Sequence, residues 1–294
     1  MNSKSRVGLM TYAQRTLLDA ALAQSTLKDG ILSLMEQANG GQSGELATRE
    51  AGMKSHREKS PKQIMAKIAQ HHSLAVMGHR AATFRQEFPE TEWILDIGGG
   101  TGWYWKGTSG ANIALVDFSL EKLYAARLLL GPEDRVLLIH ADASQLPFQP
   151  RAVSGFWSVQ VLQHLPSETL YGLLAEFKRV GKAEAQAVFH NLNYAWLHRV
   201  IYRLLGRRLH HRGVLGNYLL NRLTAAEWCV ALQSLSAVNL DESGLEVGYS
   251  ELFYHPNFRL LPTRYPVGLE RFIAQNLPSI AALFARQVHL RIKL

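Results

Sequence analysis

The first part of the chain has apolar residues at helical spacing. Over residues 9–38 this spacing predicts one or two helices, with a break at Gly30. Residues 39–60 are rich in glycine, serine and charged side chains, a composition typical of a linker. A serine followed by Pro61 then favours a helix start, and this helix is expected to run to about Phe88.

From Trp93 onward, short apolar runs alternate with helical stretches. The predicted strands are WILDIG, NIALVD, RVLLIH, GFWSVQVL and AVFHNL, followed near the end by SAVNLDE and VHLRIKL. Helices are predicted between them, including one capped by Thr224. This alternation predicts an α/β fold with a doubly wound, mostly parallel, seven-stranded sheet. We therefore divide the chain into an N-terminal helical extension with a linker, 1–60, and a main domain, 61–294.

The first predicted strand of the sheet runs directly into a glycine-rich turn, ILDIGGGTG. Gly98, Gly100 and Gly102 let the backbone approach a ligand closely. Asp117 ends the next strand, where an acid can bind both hydroxyls of a ribose. Asp96 lies at the strand end before the turn and suits a cofactor that carries an ammonium group. A P-loop is excluded because no Gly-Lys-Ser/Thr follows the turn. The turn thus predicts a nucleoside cofactor.

This signature, Asp-x-Gly-x-Gly-x-Gly, resembles that of class I S-adenosylmethionine-dependent methyltransferases of the type 11-like group, over about residues 93–190. The resemblance implies a Rossmann-like methyltransferase fold with S-adenosyl-L-methionine as its cofactor. The glycines would face the methionine part, Asp117 the ribose, Asp142 and Ala143 the adenine, and Gln160 the sulfonium. The implied cofactor residues are Asp96, Gly98, Gly100, Gly102, Asp117, Phe118, Asp142, Ala143 and Gln160. One departure is Val153-Ser154, where the family commonly has Phe-Asp.

Motifs that are absent from the sequence limit which acceptor atoms could receive a methyl group. No Asn/Asp-Pro-Pro-aromatic motif follows the fourth strand, and Cys229 is the single cysteine, interpreted as a core residue. Transfer to a hydroxyl or an amine remains. His164 and His190 follow or end strands at the edge where ligands bind, so both are candidate general bases. His140 is a weaker candidate, and each histidine can equally serve a local hydrogen bond.

An arginine-rich helical segment is predicted at 194–222, as an insertion that covers the acceptor. It lies within Ala185–Ala226, which contains no acidic residue. Arg199, Tyr202 and Arg203 are candidate substrate residues. The segment is interpreted as a lid with a solvated cationic edge, a site for a phosphate or carboxylate, or an interfacial helix at anionic lipids. Nucleic acid is disfavoured because no RNA-binding module is visible.

Composition limits the remaining possibilities. The 294 residues carry a formal net charge of +8, which favours anionic partners without naming them. With no secretory signal and no run long enough to span a bilayer, we expect a cytoplasmic biosynthetic enzyme, with peripheral membrane contact left open. We expect an anionic or amphiphilic small-molecule acceptor and no metal; the oligomeric state is left open. The alternatives are an RNA methyltransferase and a cofactor-binding cyclase or assembly factor.

Overall fold

The chain divides into two compact units. The first comprises Met1–Trp157 and Ala175–Ala185, and the second comprises Ser158–Leu174 and Gln186–Leu294. The predicted boundary at residue 60 therefore falls inside the first unit. The computed structural model describes residues 7–8, 10–19, 27–35, 63, 66, 72–131, 135–165, 167–195, 200, 223–233, 245–252 and 267–294. The predicted linker and the arginine-rich segment, apart from residues 194, 195 and 200, lie outside the described residues.

The described residues form an α/β fold, as predicted, with more strands than the seven expected. The strands are β1 (Val7–Gly8), β2 (Leu27–Lys28), β3 (Ile31–Ser33), β4 (Trp93–Ile97), β5 (Asn112–Asp117), β6 (Val136–His140), β7 (Val153–Val159), β8 (Gly181–Leu192), β9 (Leu245–Ser250) and β10 (Gln287–Lys293). The helices are α1 (Tyr12–Leu17), α2 (His72–Gln86), α3 (Leu120–Leu130), α4 (Ser167–Val180), α5 (Ala225–Gln233), α6 (Val267–Asn276) and α7 (Pro278–Phe284). Short 3-10 helices lie at Trp103–Trp105 and Leu162–His164.

The first unit contains a run of parallel strands. Its strands are hydrogen-bonded in the order β1-β2-β3-β6-β5-β4-β7. Strands β3, β6, β5 and β4 pair in parallel, whereas β2 is antiparallel to both β1 and β3. Every residue of β4, β5 and β6 is buried, as in a sheet whose two faces are both covered. Asp96 pairs with Leu115, and Asp117 pairs with His140. Because the strands are parallel, the ends that carry Ile97, Asp117 and His140 lie at one edge of the sheet.

The N-terminal segment corrects the sequence analysis. Residues 27–33 form a hairpin and a strand, whereas a helix was predicted there. Among the described residues of 9–38, only α1 is helical. Asp29 and Gly30 have φ of 54° and 80°, so the sequence Lys-Asp-Gly-Ile makes a tight turn between β2 and β3. Strand β3 then pairs in parallel with β6, and Ile31 and Leu32 are 1% exposed. The spacing of Ile31 and Leu32 fitted a helix in the sequence. In the structure both residues are buried in a short strand, where adjacent residues can both be apolar.

A buried arginine connects the end of α2 to the loop that precedes β5. Arg85 is 2% exposed, and its Nε donates to the carbonyl oxygen of Ala111 at 2.7 Å. Its Nη1 donates to the backbone oxygen of Thr108 at 3.0 Å. A buried cation with these carbonyl acceptors is well solvated by the protein. Arg85 therefore holds the connection between β4 and β5 against α2.

In the second unit, β10 lies between β8 and β9 and is antiparallel to both. The predicted strand over 288–294 is thus confirmed, as is α5, where Thr224 Oγ1 accepts from the backbone N–H of Glu227 at 3.3 Å. The predicted strand SAVNLDE lies outside the described residues, and β9 begins after it. Helices α6 and α7 were not predicted.

Cys229 on α5 is half-buried. Burial raises the pKa of its thiol, so this thiol is not activated as a nucleophile.

Replacing Gly30 by alanine distinguishes the hairpin from a helix. In the hairpin a Cβ would sit 2.6 Å from Arg127 Nε at a φ of +80°, so we expect Gly30→Ala to lower the free energy of unfolding by about 1–2 kcal/mol. Gly107 also has positive φ, but nothing lies within 4 Å of its Cβ position, so Gly107→Ala shows the cost of the backbone strain alone and should lower the free energy of unfolding less. Urea unfolding measures both. A stabilised Gly30→Ala protein would support a helix instead.

Candidate functional site

The turn after β4 has the backbone that its glycines predict. Gly98, Gly100 and Gly102 all adopt positive φ, at 65°, 59° and 61°. A Cβ at Gly102 would also lie 2.7 Å from Leu115 Cδ1, so this position has no room for a side chain. The loop therefore exposes backbone at the edge of the parallel sheet where ligands bind in this class of fold.

Asp117, at the end of β5, is hydrogen-bonded to this loop. Its Oδ2 accepts from the backbone N–H of Gly100 at 2.9 Å, and its Oδ1 accepts from that of Ser119 at 2.8 Å. The side chain is 2% exposed. Each carboxylate oxygen retains a second lone pair, so each can still accept a hydrogen bond. The structure thus brings together the predicted ribose acid and the predicted glycine loop.

Asp96 is hydrogen-bonded to two aromatic side chains of the same unit. Its carboxylate is fully buried and accepts from Tyr104 Oη, at 3.0 and 3.1 Å, and from Trp105 Nε1 at 2.7 Å. In the structure the carboxylate has no exposed surface, and its contact with a cofactor stays a prediction. Burial raises the pKa of Asp96 to about 7, and the two hydrogen bonds lower it in part. Asp96 supports the glycine loop from inside the unit.

The predicted adenine residues follow β6. Asp142 is exposed, and its Oδ1 accepts from both the backbone N–H and the hydroxyl of Ser144, at 2.8 and 2.7 Å. Ala143 and Phe118 are half-buried. His140 Nε2 lies 3.1 Å from the carbonyl oxygen of Phe118, which only accepts, so this nitrogen carries a proton. His140 therefore joins the ends of β5 and β6 and is not placed as a general base.

The remaining predicted site residues of the described chain lie in the second unit. Gln160 follows β7 with a φ of 56°, and its backbone N–H donates to the carbonyl oxygen of His190 at 2.6 Å. A non-glycine residue in this region is uncommon and is a frequent mark of functional loops. His164 is half-buried, and its Nε2 lies 3.4 Å from Gln163 Nε2. This loop thus presents a strained backbone and an accessible imidazole.

His190 lies inside β8 and is 1% exposed. Its ring centroid is 5.7 Å from that of His289 on β10, directly opposite it in the antiparallel pair. An acceptor hydroxyl would have to enter the interior to reach His190, whereas His164 sets no such requirement. Arg199, Tyr202 and Arg203 lie outside the described residues, so their predicted contact with a substrate stays a prediction.

Sequence reasoning missed three side chains that support the site. Tyr104 and Trp105, in the aromatic run directly after the glycines, are hydrogen-bond donors to Asp96. Gln163 was not considered, although its Oε1 accepts from the backbone N–H of Leu192 at 2.8 Å. For Tyr104 and Trp105 the sequence did contain a signal, because both aromatic donors follow an acid in a predicted buried strand by eight and nine residues. No local signal identified Gln163.

The residues of the first unit fit a nucleoside cofactor. The glycine loop leaves room for a ligand against the backbone, the Asp117 oxygens can accept from ribose hydroxyls, and Asp142 is accessible for an adenine amine. Among the residues that the structure describes, no cluster of three His, Cys, Asp or Glu is suited to a metal ion. In the same ranges, no helix is long and apolar enough to cross a membrane.

The raised pKa of Asp96 predicts how the free energy of unfolding depends on pH. The folded carboxyl titrates at about 7 against 3.8 when unfolded, so the folded state binds the extra proton between these values. Stability contributed by this group therefore falls as pH rises through that window, by up to about 1.4 kcal/mol per pH unit. We expect the Asp96→Asn variant to lose this component of the slope in urea unfolding from pH 5 to 8. An unchanged slope would contradict the assignment, and Asp142→Asn serves as the exposed control.

Comparisons with known proteins find similarity in the part of the chain that contains the glycine loop. A model of the family described as a methyltransferase domain matches residues 95–189. A demethylmenaquinone methyltransferase from Clavibacter sepedonicus is 43% identical over 72 residues, which are 24% of this chain. The chain spans 29% of the length of that relative. The matched region thus contains the glycine loop, Asp117, Asp142 and the strands that carry them.

Two solved structures show the same fold at low identity. The structure of the Haloferax volcanii Trm112 methyltransferase activator with a methyltransferase has a TM-score of 0.52 at 16% identity, covering 83% of this chain and 96% of the other. A Haemonchus contortus phosphoethanolamine N-methyltransferase 2, in complex with S-adenosyl-L-methionine, has a TM-score of 0.53 at 15% identity, covering 87% and 60%. Residues 95–189 are thus similar to a methyltransferase domain, and the two solved structures share the fold of this chain.

Proposed function

We propose that this chain transfers a methyl group from S-adenosyl-L-methionine to a hydroxyl or an amine of a small-molecule acceptor. The observation that carries the proposal is the hydrogen bond between Asp117 and the backbone of Gly100, which joins the acid that would hold the ribose to the glycine loop. The sulfonium of the bound cofactor supplies the reactive methyl group. The chain's own task is then to bind, to orient and, for a hydroxyl, to accept a proton.

The proposed cofactor residues act through hydrogen bonds. Asp117 would accept from the two ribose hydroxyls on the lone pairs that the backbone leaves. The exposed carboxylate of Asp142 would accept from the adenine amine, and Ala143 and Phe118 would line the ring. For Gln160 we propose the role that the resemblance implies, a contact with the sulfonium. Its positive φ supports a functional constraint on this loop.

For the acceptor, we propose an amphiphilic or anionic compound. The partial relative is named for a demethylmenaquinone, which is a small molecule. The arginine-rich sequence 194–222, with Arg199, Tyr202 and Arg203, would contact an anionic group, because guanidinium groups bind phosphate and carboxylate in pairs of hydrogen bonds. This proposal disfavours a non-transferase role and an RNA acceptor, and methylation of RNA is an outcome of the last experiment below. We propose a cytoplasmic location for the enzyme.

His164 is the residue that we propose as the general base for a hydroxyl acceptor. It is half-buried and follows β7, whereas His190 is in the interior of the second unit. Gln163, fixed by its bond to Leu192, lies beside the imidazole and would limit its orientation. His190 would contribute by holding the Gln160 backbone through its carbonyl oxygen, and as a base only if the acceptor reaches the interior.

Asp117→Ala tests the cofactor site. The loss of the acceptors for two ribose hydroxyls is expected to weaken binding of S-adenosylhomocysteine by about 1–3 kcal/mol, which isothermal titration calorimetry measures. Glu121→Gln, an exposed change on the first turn of α3, is the matched control and should bind like the wild type. Thermal unfolding of each variant separates a lost contact from a lost fold. Unchanged affinity in a folded Asp117→Ala protein would refute the ribose assignment.

His164→Asn tests the base. With a hydroxyl acceptor found by screening anionic and amphiphilic compounds, we expect kcat to fall by about 10²–10⁴-fold with a smaller change in KM. His79→Asn, an exposed histidine on α2, is the control. Formation of S-adenosylhomocysteine gives the rate. Full activity of His164→Asn would favour an amine acceptor or transfer by proximity alone.

Methylation of RNA with a steep salt dependence would favour the RNA alternative.

A further inference from the structure

The N-terminal segment, defined as the described residues of 10–35, contacts both ends of the loop that follows β6. We call residues 141–149 the adenine loop, because it contains two of the residues proposed to contact the adenine ring. Segment and loop both belong to the first unit. Just before the loop begins, the backbone N–H of Leu34 donates to the carbonyl oxygen of His140 at 3.0 Å. This bond continues the parallel pairing of β3 with β6 up to the start of the loop.

The far end of the adenine loop is held by the residues that end and follow α1. Leu18 and Phe148 form an antiparallel bridge, and both side chains are fully buried. Two backbone hydrogen bonds flank this bridge: Asp19 N–H to the Pro147 oxygen at 3.0 Å, and Gln149 N–H to the Leu17 oxygen at 3.1 Å. The N-terminal segment therefore binds the chain on either side of the proposed adenine residues.

One side chain of the segment reaches toward the proposed adenine site. Ser33, the last residue of β3, has its Oγ 2.9 Å from His140 Nδ1, and the carbonyl oxygen of Met35 is a second, more distant acceptor at 3.3 Å. Nε2 of the same imidazole carries a proton and lies 3.1 Å from the carbonyl oxygen of Phe118. In the neutral ring Nδ1 is then an acceptor, and the Ser33 hydroxyl donates to it. Hydrogen bonds thus run from β3 through His140 to a residue proposed to line the adenine ring.

Helix α4 contacts the second half of the adenine loop. Glu176 and Arg179 bind the backbone of Leu146 and Phe148, at distances of 2.7 to 2.8 Å. At the start of the loop, the backbone N–H of Ala141 lies 3.4 Å from a carbonyl oxygen at the end of β5, which is a long hydrogen bond. The position of the first half, which carries the proposed adenine residues, therefore depends on how the N-terminal segment holds the end of β6.

We propose that the N-terminal segment positions the adenine loop and thereby sets the preference of this chain for adenine as the base of its cofactor. The inference rests on the proposed function, which takes Asp142 as the acceptor for the adenine amine. Ser33 and His140 are positioning residues that act through Phe118 and the loop. A carboxylate that is fixed in place favours the 6-amino group of adenine, which donates, over the 6-oxo group of hypoxanthine, which accepts. A loop whose attachment is weakened loses this discrimination while the fold persists.

The ratio of two affinities tests the positioning. Isothermal titration calorimetry of the full chain with S-adenosylhomocysteine and with S-inosylhomocysteine, which differ at position 6 of the base, measures the preference for adenine. We expect the wild type to bind S-adenosylhomocysteine at least about tenfold more tightly, and Ser33→Ala to lower this ratio by at least about threefold. Ser33→Thr keeps the hydroxyl and should restore the ratio. Ser33 is exposed, so neither change alters the core, and a general loss of stability would weaken both ligands equally.

Thr16→Ala is the matched control within the N-terminal segment. Thr16 Oγ1 donates to the carbonyl oxygen of Ala13 at 2.9 Å, so this change removes a hydroxyl that bonds within α1. It should keep the wild-type ratio. The inference is overturned if Ser33→Ala keeps that ratio, if Thr16→Ala lowers it as much, or if the wild type binds both ligands equally. A wild type that binds neither ligand would contradict the proposed cofactor site as well, which separates the two failures.

Discussion

The candidate site depends on one arrangement: a carboxylate at the end of β5 that accepts hydrogen bonds from two backbone amides. Asp117 is bound to Gly100 and to Ser119, so the glycine loop and the start of α3 are held by the same side chain. The loop can adopt its positive φ angles because the relevant positions are glycines. Parallel pairing of β4 with β5 sets these residues at one sheet edge.

Asp96 and Asp117 are both buried, but their hydrogen-bond partners differ. Asp96 accepts hydrogen bonds from Tyr104 and Trp105, and burial raises its pKa to about 7, so its charge is costly. Asp117 is bonded only to backbone amides in the described chain and retains lone pairs that can accept further hydrogen bonds. The two acids of the signature therefore differ in their surroundings, although the resemblance implies a cofactor contact for both.

Much of the first unit was predictable, because long apolar runs such as NIALVD and RVLLIH have few alternatives to buried parallel strands. The hairpin at 27–33 was missed because Ile31 and Leu32 fit helical spacing, although Asp-Gly was the available turn signal. The contacts of Asp96 with aromatic donors required coordinates, because sequence does not tell which way a buried carboxylate faces. For the acceptor, the sequence gives charge and a histidine, and neither specifies a molecule.

The second unit was harder to anticipate than the first. Helices α6 and α7 were not predicted, and exposed apolar residues such as Phe272 and Ile280 lie on the same two helices as the buried Ala281. The periodicity of these helices therefore does not identify their buried face.

Hydrogen exchange with and without S-adenosylhomocysteine tests the central claim most directly. If the glycine loop and the end of β5 form the cofactor site, the ligand should slow exchange in peptides spanning residues 96–104 and 117–124, and in the segment after β6 that contains Asp142. Protection of those segments, with little change in α6 and α7, is the result that this account predicts. A ligand that protects neither the loop nor the end of β5 would contradict it.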